Sequence, residues 1–500
     1  MRSARALLTR FPTHTRAHPP HPSRLYFLFS RFSTMSQPPP SPSLRDLRPP
    51  RHAGMTTLDR SKFALSVPVV TARIPAASVG AVLKHPMLRG QLVDIAKVKS
   101  VLVTPGEEER RILLRVRTPE QLPAQTREYL EGIGAQFGTY NIDLDYDYWS
   151  VHDVLTSILP SLDGEDPPSS FTQTGHLAHV NLRDEWLPYK HIIGQVIVDK
   201  VSSVTTVVNK LNSIHAQFRY FDMEVIAGKE DFVVSTHESG CSFTFDFSKV
   251  YWNSRLHTEH DRLLSLFAPG QVVADAMAGV GPFAVPAAKK GAYVLANDLN
   301  PESVKWMREN QARNKVASRL RITEDDARAF IRRAPLEAWT QPFKRSEVVR
   351  NRAWEKAQRA AREKAKKEKE ERAAAGLPPL EEEKGEEEAP KPQTIDHYVM
   401  NLPDSALEFL DAYKGSFTPL LQQDRYDRAT PLPLIHVHCF TRELEPDTAS
   451  ADICARATEC LGHPVTPNME GFNLHAVRRV APNKDMYCLT FRLPDAVAYA

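Results

Sequence analysis

Cysteines are scarce in this chain: 500 residues contain five, and no two of them form a C-x-x-C pair. A chain this long with so few cysteines lacks the disulfide framework of small secreted domains, and their spacing does not match a structural zinc site. We therefore predict no metal site, and reduced, mostly buried thiols at Cys241, Cys439, Cys454, Cys460 and Cys488.

Long hydrophobic runs are absent as well. No stretch of about 18 consecutive apolar residues occurs, so the pattern predicts no transmembrane helix. Hydrophobic residues make up 42% and charged residues 25% of the chain, which is typical of a soluble globular protein. The length corresponds to about three domains. The net charge of only +3 means that a nucleic-acid partner would need a local basic surface.

Acidic residues are missing from the amino-terminal end, where Asp46 is the first carboxylate. Residues 1–34 contain six arginines and several serines and threonines, a composition typical of a mitochondrial presequence, although a disordered basic tail shares it. Met35 is a second start position, so we expect a mitochondrial-matrix form and a cytoplasmic or nuclear form. The Pro/Ser-rich remainder of residues 1–62 is predicted to be a linker.

Aspartate is also absent from a highly charged segment, in which half of the residues from Gln341 to Pro390 are Lys, Arg or Glu. Such a segment cannot supply a hydrophobic core. We predict that residues 341–392 form an insertion that loops out of a folded domain, with a dedicated binding arm as the alternative.

The rest of the chain divides by pattern into three regions. Residues 63–150 mix short apolar runs with turn residues and are predicted to form a small α+β domain. Residues 151–262 carry β-branched runs, among them GQVIVDKV at 194–201, which favour a β-rich middle domain. In residues 263–500 strands alternate with helices, the pattern of a mainly parallel α/β sheet.

A buried strand, a small-residue turn and a helix follow one another in QVVADAMAGVGPFAVPAAKKG, residues 271–291. The strand is predicted to end at Asp275, and Gly279 and Gly281 allow a ligand to approach the backbone closely. The next strand is predicted to end at Asp298, where a carboxylate can hold a ribose hydroxyl.

The spacing of GVGPFA also satisfies the dinucleotide pattern G-x-G-x-x-A, so a nicotinamide oxidoreductase is an alternative. Pro282 argues against it, because proline removes a backbone N–H donor that a pyrophosphate would use. Two further strands are followed by polar residues, at Asp326 and at Asn401. Four polar strand ends predict a ligand crevice at the carboxyl edge of an open sheet.

Four motifs in a fixed order resemble the class I S-adenosylmethionine-dependent methyltransferases: DAMAGVGPF (275–283), ANDLNPES (296–303), EDDARAF (324–330) and MNLP (400–403). The resemblance implies an α/β fold with a Rossmann-like, mainly parallel sheet in the carboxyl-terminal domain. The β-rich domain and the small amino-terminal α+β domain would precede it.

Three further segments, 175–200, 218–228 and 245–264, are similar to the eukaryotic and archaeal tRNA guanine-37 N1-methyltransferases. The combined resemblance covers residues 63–335 and 394–493. The sequence departs from the family pattern at Met277, where an aromatic residue or cysteine is usual, and in the charged insertion.

Methylation of guanine at N1 requires a base for the N1 proton and a donor for the charge that grows on O6. The resemblance implies that Glu259 is the base, that Arg219 is the donor, and that Asn401 orients the target base. Each residue also has a structural alternative: Glu259 favours the dipole of a helix start, Arg219 suits a strand edge, and Asn401 is a common turn residue before proline.

The resemblance also implies S-adenosyl-L-methionine as the cofactor. Asp298 would hold the ribose and Asp326 the adenine amine, while Leu299 and Ala327 would line the adenine ring. The remaining implied cofactor contacts are His260, Asp275, Gly279, Gly281 and Asn401. Arg255 would contact an RNA phosphate, with a structural ion pair as its alternative.

The implied activity is formation of 1-methylguanosine at position 37 of tRNA, next to the anticodon. We expect a monomer that has no membrane partner and whose domain 63–150 contacts the tRNA body. Two alternatives besides the oxidoreductase remain: the wybutosine-pathway enzyme that transfers the aminocarboxypropyl group of the same cofactor, and an RNA-binding module without catalysis.

Overall fold

A computed structural model describes residues 44, 47–103, 106, 108–161, 167–214, 218, 221–343, 394–424 and 426–500. Four features predicted from the sequence lie outside these residues: the presequence 1–34, the second start at Met35, Arg219, and nearly all of the insertion 341–392. Part of the predicted linker is described. There, the Arg51 guanidinium donates to the carbonyl of Leu159, which ties this stretch to the middle domain.

The amino-terminal region forms an antiparallel sheet of order β2-β3-β1-β4 within the described residues. Its elements are β1 (Leu65–Pro75), α1 (Val79–Lys84), β2 (Val101–Val103), β3 (Glu109–Leu114), α2 (Ala124–Gly132) and β4 (Gln136–Leu144). This region therefore combines an antiparallel sheet with short helices, an α+β arrangement.

The middle region combines a sheet of order β5-β6-β7-β8 with the hairpin β9-β10. Its elements are α3 (Val151–Ile158), β5 (Thr172–Thr174), β6 (Leu177–Val180), α4 (Lys190–Lys200), β7 (Thr206–Ile214), β8 (Phe221–Gly228), β9 (Val233–Glu238) and β10 (Cys241–Asp246).

The prediction that GQVIVDKV at 194–201 favours a strand is wrong, because most of this run belongs to helix α4. The buried side chains recur at helical rather than alternating spacing: Ile192, Ile193, Val196 and Ile197. At Gly194 the helix approaches β8 so closely that an added Cβ would lie 2.9 Å from the side chains of Ile226 and Ala227. Tertiary packing therefore overrides the β-branched preference.

The carboxyl-terminal region begins with α5 (His257–Leu264) and then alternates strands and helices. These are β11 (Val272–Asp275), α6 (Ala284–Lys290), β12 (Tyr293–Asp298), α7 (Pro301–Arg313), β13 (Leu320–Glu324), α8 (Ala327–Thr340), β14 (His397–Met400), β15 (Leu434–Thr441), α9 (Pro446–Leu461), β16 (Asn473–Ala481), β17 (Lys484–Arg492) and α10 (Asp495–Ala498).

Short 3₁₀ helices connect the elements of all three regions. They span Arg60–Phe63, Ala76–Ser78, Pro86–Leu88, Pro119–Gln121, Tyr146–Tyr148, Asp184–Tyr189, Ser254–Leu256, Ala406–Tyr413 and Thr418–Gln422.

Within the described ranges, the third sheet has the strand order β13-β12-β11-β14-β15-β17-β16. Its strands run parallel from β13 to β15, and β17 is antiparallel to both of its neighbours. This mainly parallel sheet confirms the predicted α/β fold class. The chain order reverses between β11 and β14, and in such sheets ligands bind at the carboxyl ends of the strands beside this switch point.

All five cysteines are free thiols and four of them are buried, in agreement with the predicted reduced, mostly buried thiols. Among the described residues, no helix combines the length and the apolar sequence needed to cross a bilayer.

Candidate active site

The loop between β11 and α6, residues 276–283, contains two glycines and lies at the carboxyl edge of the sheet. We call it the glycine loop. Gly279 and Gly281 adopt left-handed φ angles of 56° and 93°, which side chains with a Cβ adopt only with strain. A Cβ added at Gly279 would meet nothing within 4 Å, whereas one at Gly281 would lie 2.7 Å from Val285 Cγ2. Gly281 is therefore required by packing, and Gly279 leaves open space beside the backbone for a ligand.

Asp298 closes this loop from the end of β12. Its Oδ2 accepts a hydrogen bond from the Gly279 N–H at 2.7 Å, and its Oδ1 accepts from the Asn300 N–H at 2.9 Å. Burial raises the pKa of Asp298, and these two backbone hydrogen bonds oppose the rise. The carboxylate thus fixes the loop in addition to any contact with a ribose.

Asp275, at the end of β11, is completely buried. No hydrogen bond of normal geometry reaches either of its carboxylate oxygens among the residues that the structure describes, although the backbone N–H of Met277 lies close enough to lower its pKa. Burial, followed by the negative charge of Asp298, raises the pKa of Asp275 to about 8. A buried carboxyl group without partners is costly, so this position fits a group that donates hydrogen bonds to it.

Two asparagines near Asp298 organise the strand ends. Asn300 caps α7 by accepting from the Glu302 N–H at 3.0 Å, and Pro301 occupies the first helical position. Asn297, inside β12, donates to the carbonyls of Ala276 and Asp325. From β12, the amide of Asn297 therefore joins the two loops that follow the neighbouring strands β11 and β13.

The predicted adenine contacts lie side by side at the next strand end. Asp298 pairs with Glu324 in the parallel register, so Leu299 and Asp326 follow at the same edge. Leu299 is 45% exposed although it is apolar, and Ala327 is buried. The Asp326 side chain caps α8 by accepting from two backbone N–H groups, so a helix cap is part of its role.

Glu259 lies in the first turn of α5 and is only 3% exposed. Its carboxylate accepts hydrogen bonds from Arg262 Nε at 2.6 Å and Nη2 at 2.7 Å, and it lies 2.7 Å from His438 Nε2. Burial alone would raise the pKa of Glu259, but the hydrogen bonds from Arg262 and His438 outweigh it and lower the pKa to about 2. Glu259 is therefore ionised and oriented in the absence of substrate.

His260 is buried next to Glu259. Its Nδ1 forms a short contact with Glu238 Oε1, and its ring packs edge-on against Phe283 of the glycine loop at 4.6 Å between centroids. The contact with Glu238 attaches α5 to β9, and the contact with Phe283 attaches it to the glycine loop. A direct cofactor contact by His260 stays a prediction.

Asn401 follows β14 and lines a small pocket. Tyr251, Leu256, Phe440 and Arg478 are among the other residues of this pocket. The Asn401 Oδ1 is buried and has no hydrogen-bond partner among the described residues. Flanking aromatic rings and an unsatisfied amide acceptor suit a planar base that donates hydrogen bonds.

The Asn401 pocket and Glu259 are connected through the sheet. Met400 pairs with Val437 in the parallel register, so Asn401 lies beside His438, which contacts Glu259. Leu256 of the pocket lies one helical turn before Glu259. The structure thus brings together the predicted base and the predicted base-orienting residue.

Arg255 is exposed and lies 3.4 Å from Thr172 Oγ1 through its Nη2. It belongs to a basic neighbourhood: burial, and then the charges of Lys210 and Arg255, lower the pKa of His179 to about 3. Arg255 and Lys210 thus place two positive charges near His179. Arg219, the predicted oxyanion donor, lies outside the described residues.

Sequence reasoning missed three site residues, Asn297, Arg262 and His438. Asn297 is a polar residue in an apolar strand, which is a signal of function at a strand end. Arg262 follows Glu259 by three residues on the same helix, a spacing at which side chains meet. His438 gave no signal, because it lies 179 residues from Glu259 in the chain.

Comparison with known proteins identifies the two central regions. Residues 151–231 match the TYW2 N-terminal domain and residues 234–338 match the TRM5/TYW2 methyltransferase domain. The tRNA (guanine(37)-N(1))-methyltransferase of Cryptococcus neoformans var. neoformans is 48% identical over 90% of this chain and 88% of its own length. The chain belongs to the tRNA (guanine(37)-N(1))-methyltransferase family. Relatives with this name from Coprinopsis cinerea and Schizosaccharomyces pombe are 44% and 43% identical.

These two relatives align over 91% and 89% of this chain and over 97% and 96% of their own. Solved structures of the family share the fold. Trm5b from Pyrococcus abyssi has a TM-score of 0.53 at 21% identity and covers 85% of this chain and 99% of its own. A complex of aTrm5 and tRNALeu also has a TM-score of 0.53, at 16% identity, and covers 85% of this chain and 100% of its own.

Proposed function

We propose that this protein transfers the methyl group of S-adenosyl-L-methionine to N1 of guanosine 37 in tRNA. The tRNA (guanine(37)-N(1))-methyltransferase family provides the reaction class. The observation that carries the assignment is the buried, ionised Glu259 carboxylate, which the sheet connects to the Asn401 pocket.

Glu259 is suited to accept the N1 proton of guanine. Its hydrogen bonds with Arg262 and His438 keep it ionised and fixed. A carboxylate of low pKa is a weak base toward free guanine, but the N1 proton becomes strongly acidic as the new C–N bond forms at N1. The proton therefore passes to Glu259 during bond formation, when even a weak, well-placed base is effective.

Asn401 holds the target base in this account. Its buried Oδ1 has no partner among the described residues, and the guanine edge supplies N–H donors that satisfy it. Arg219, which lies outside the described residues, is proposed to donate to O6 as negative charge grows there.

The glycine loop and its neighbours fit the cofactor. Open space beside Gly279 and the unpartnered carboxyl group of Asp275 leave room and hydrogen-bonding capacity for it. S-adenosyl-L-methionine, when bound, supplies a methyl group activated by a positively charged sulfur. The residues proposed to hold it are His260, Asp275, Gly279, Gly281, Asp298, Leu299, Asp326, Ala327 and Asn401.

The reaction is tested with the purified full chain, labelled S-adenosyl-L-methionine, and unmodified tRNA transcripts that carry guanosine or adenosine at position 37. Mass spectrometry of the digested tRNA identifies product and site together. We expect 1-methylguanosine with the guanosine transcript only. A heavier aminocarboxypropyl adduct would assign the chain to the wybutosine pathway instead, and tRNA binding without transfer would indicate an RNA-binding module.

Three further proposals come from the sequence. Residues 63–150 contact the tRNA body, the protein acts as a monomer, and residues 1–34 direct one form to the mitochondrial matrix while a start at Met35 yields a cytoplasmic or nuclear form. A fluorescent reporter fused to residues 1–62 tests the targeting. Mitochondrial signal that is lost when residues 1–34 are removed would support it, and a diffuse signal from the intact fusion would contradict it.

A further inference from the structure

Three metal-ligating side chains converge beside the predicted base. A carboxylate oxygen of Glu259, a ring nitrogen of His438 and the sulfur of Cys488 all lie within 4.8 Å of one another, and all three residues are buried. Carboxylate, imidazole and thiolate are the ligand types that proteins use for zinc.

The sheet places these ligands by register. His438 on β15 pairs with Cys488 on β17, and Cys488 pairs in turn with His475 on β16. Directly paired residues project on the same face of a sheet. Helix α5 covers this face with Glu259, whose Oε2 lies 3.7 Å from His475 Nε2. A fourth ligand is therefore within reach of the cluster.

The His438 ring presents its Nε2 to the cluster, at 2.7 Å from Glu259 Oε1. The His438 side chain is completely buried, yet its Nδ1 has no hydrogen-bond partner in the described part of the chain. The two ring nitrogens face different directions, so an ion shared with Glu259 would bind Nε2 and would leave Nδ1 for another partner.

Although the spacing of the cysteines predicts no metal site, we propose that Glu259, His438 and Cys488 form a binding site for one divalent cation of the zinc class, with His475 as the fourth ligand. The charges balance, because one carboxylate and one thiolate neutralise the two charges of the ion. Binding forms metal bonds to oxygen, nitrogen and sulfur, while the Cys488 thiol and the His438 Nε2 that donates to Glu259 each release a proton to solvent. The thiolate selects zinc-class ions over Mg²⁺, which prefers oxygen ligands.

The site is open on one side. The His475 side chain is 41% exposed and that of Arg262 is 24% exposed. An entering cation displaces the Arg262 guanidinium from Glu259, and Arg262 is free to turn toward solvent. On the proposed function, the ion then occupies the carboxylate that accepts the N1 proton, so zinc binding inhibits methyl transfer.

Metal binding is tested on the full chain with Co²⁺, which replaces zinc and reports thiolate ligation by a charge-transfer absorption band. We expect about one Co²⁺ per chain with this band, displaced by Zn²⁺ but not by Mg²⁺. Cys488→Ser removes the band, and His438→Gln weakens cobalt binding by about 100-fold. Cys439→Ser is the matched control, because Cys439 is equally buried but packs in a different core cluster.

Circular dichroism confirms that each variant is folded before titration. Absence of the band in the wild type, or a band that persists in Cys488→Ser, overturns the site. Inhibition is measured separately as the rate with Zn²⁺ divided by the rate without it, for each protein against itself. Cys488→Ser is expected to lose this inhibition. If the chain transfers no methyl group, the proposed function fails while the cobalt titration still decides the site.

Discussion

Arg262 holds the carboxylate of Glu259 with two hydrogen bonds, of 2.6 Å and 2.7 Å, across one turn of α5. Such paired contacts between guanidinium and carboxylate fix both distance and direction. The predicted base is thereby oriented before any RNA arrives. The buried Glu259 carboxylate therefore depends on Arg262 and His438 for its hydrogen bonds.

Replacing Arg262 with methionine is expected to destabilise the protein by about 1–3 kcal/mol, because it leaves buried Glu259 with fewer partners. Urea unfolding measures the effect. The control is Arg313→Met, whose exposed pair with Glu309 is worth about 0–1 kcal/mol. The double variant Arg262→Met, Glu259→Gln should recover part of the loss. Equal effects of the Arg262 and Arg313 variants would contradict a structural role for the buried pair.

The two glycines of the loop after β11 are expected to respond differently to alanine. Gly281→Ala places a Cβ 2.7 Å from Val285 Cγ2 at a φ of 93°, so it should cost about 2–4 kcal/mol of stability. Gly279→Ala meets no protein atom and should cost about 1–2 kcal/mol from its left-handed backbone.

The affinity for the cofactor tests the role of Gly279. The added methyl group of Gly279→Ala enters the space proposed for S-adenosyl-L-methionine, so calorimetry should show affinity reduced by about tenfold or more. Wild-type affinity in Gly279→Ala would show that the cofactor lies elsewhere.

Asp275 is expected to make stability fall as pH rises. Its pKa is about 8 in the folded protein, well above the ordinary value of 3.8, so the folded state binds this proton more tightly than the unfolded state. The contribution of Asp275 to the free energy of unfolding is fully present below pH 3.8 and is lost progressively as the pH rises to about 8. Asp275→Asn does not titrate and should be more stable than the wild type at pH 8 by about 1–3 kcal/mol, with little difference near pH 4.

Unfolding curves at several pH values measure this difference. The control is Asp94→Asn, since the Asp94 side chain is 92% exposed; its pH dependence should parallel that of the wild type. A wild type whose stability rises from pH 4 to pH 8 by the same amount as that of Asp275→Asn would contradict the buried, protonated carboxyl group.

The strand ends of the parallel sheet were predictable from the sequence, because each is an apolar run followed by a polar residue. Asp275 and Asp298 end β11 and β12 as predicted, and Asn401 follows β14. Parallel strands bring their carboxyl ends to one edge, so the crevice followed from chain pattern alone. Helix α4 was not predictable in this way, since its Val and Ile residues favour a strand until packing against β8 is known.

The surroundings of Glu259 depend on contacts distant in sequence. His438 reaches Glu259 only because β15 lies next to β14, and Cys488 joins them only through the register of β17. Strand order and register are properties of the folded sheet that no local spacing encodes. The residue types at the site and the i,i+3 spacing of Glu259 and Arg262 were therefore visible in the sequence, but the contact of Glu259 with His438 was not.

The central claim is that Glu259 accepts the N1 proton, and the single-turnover rate of methyl transfer in Glu259→Gln tests it most directly. The account predicts a rate about 10²- to 10⁴-fold below the wild type, with affinities for S-adenosyl-L-methionine and tRNA unchanged. The control is Glu302→Gln, a surface glutamate in the first turn of α7 that pairs with Lys305, and it should keep the wild-type rate. A Glu259→Gln enzyme that retains the wild-type rate would contradict the assignment of Glu259 as the base.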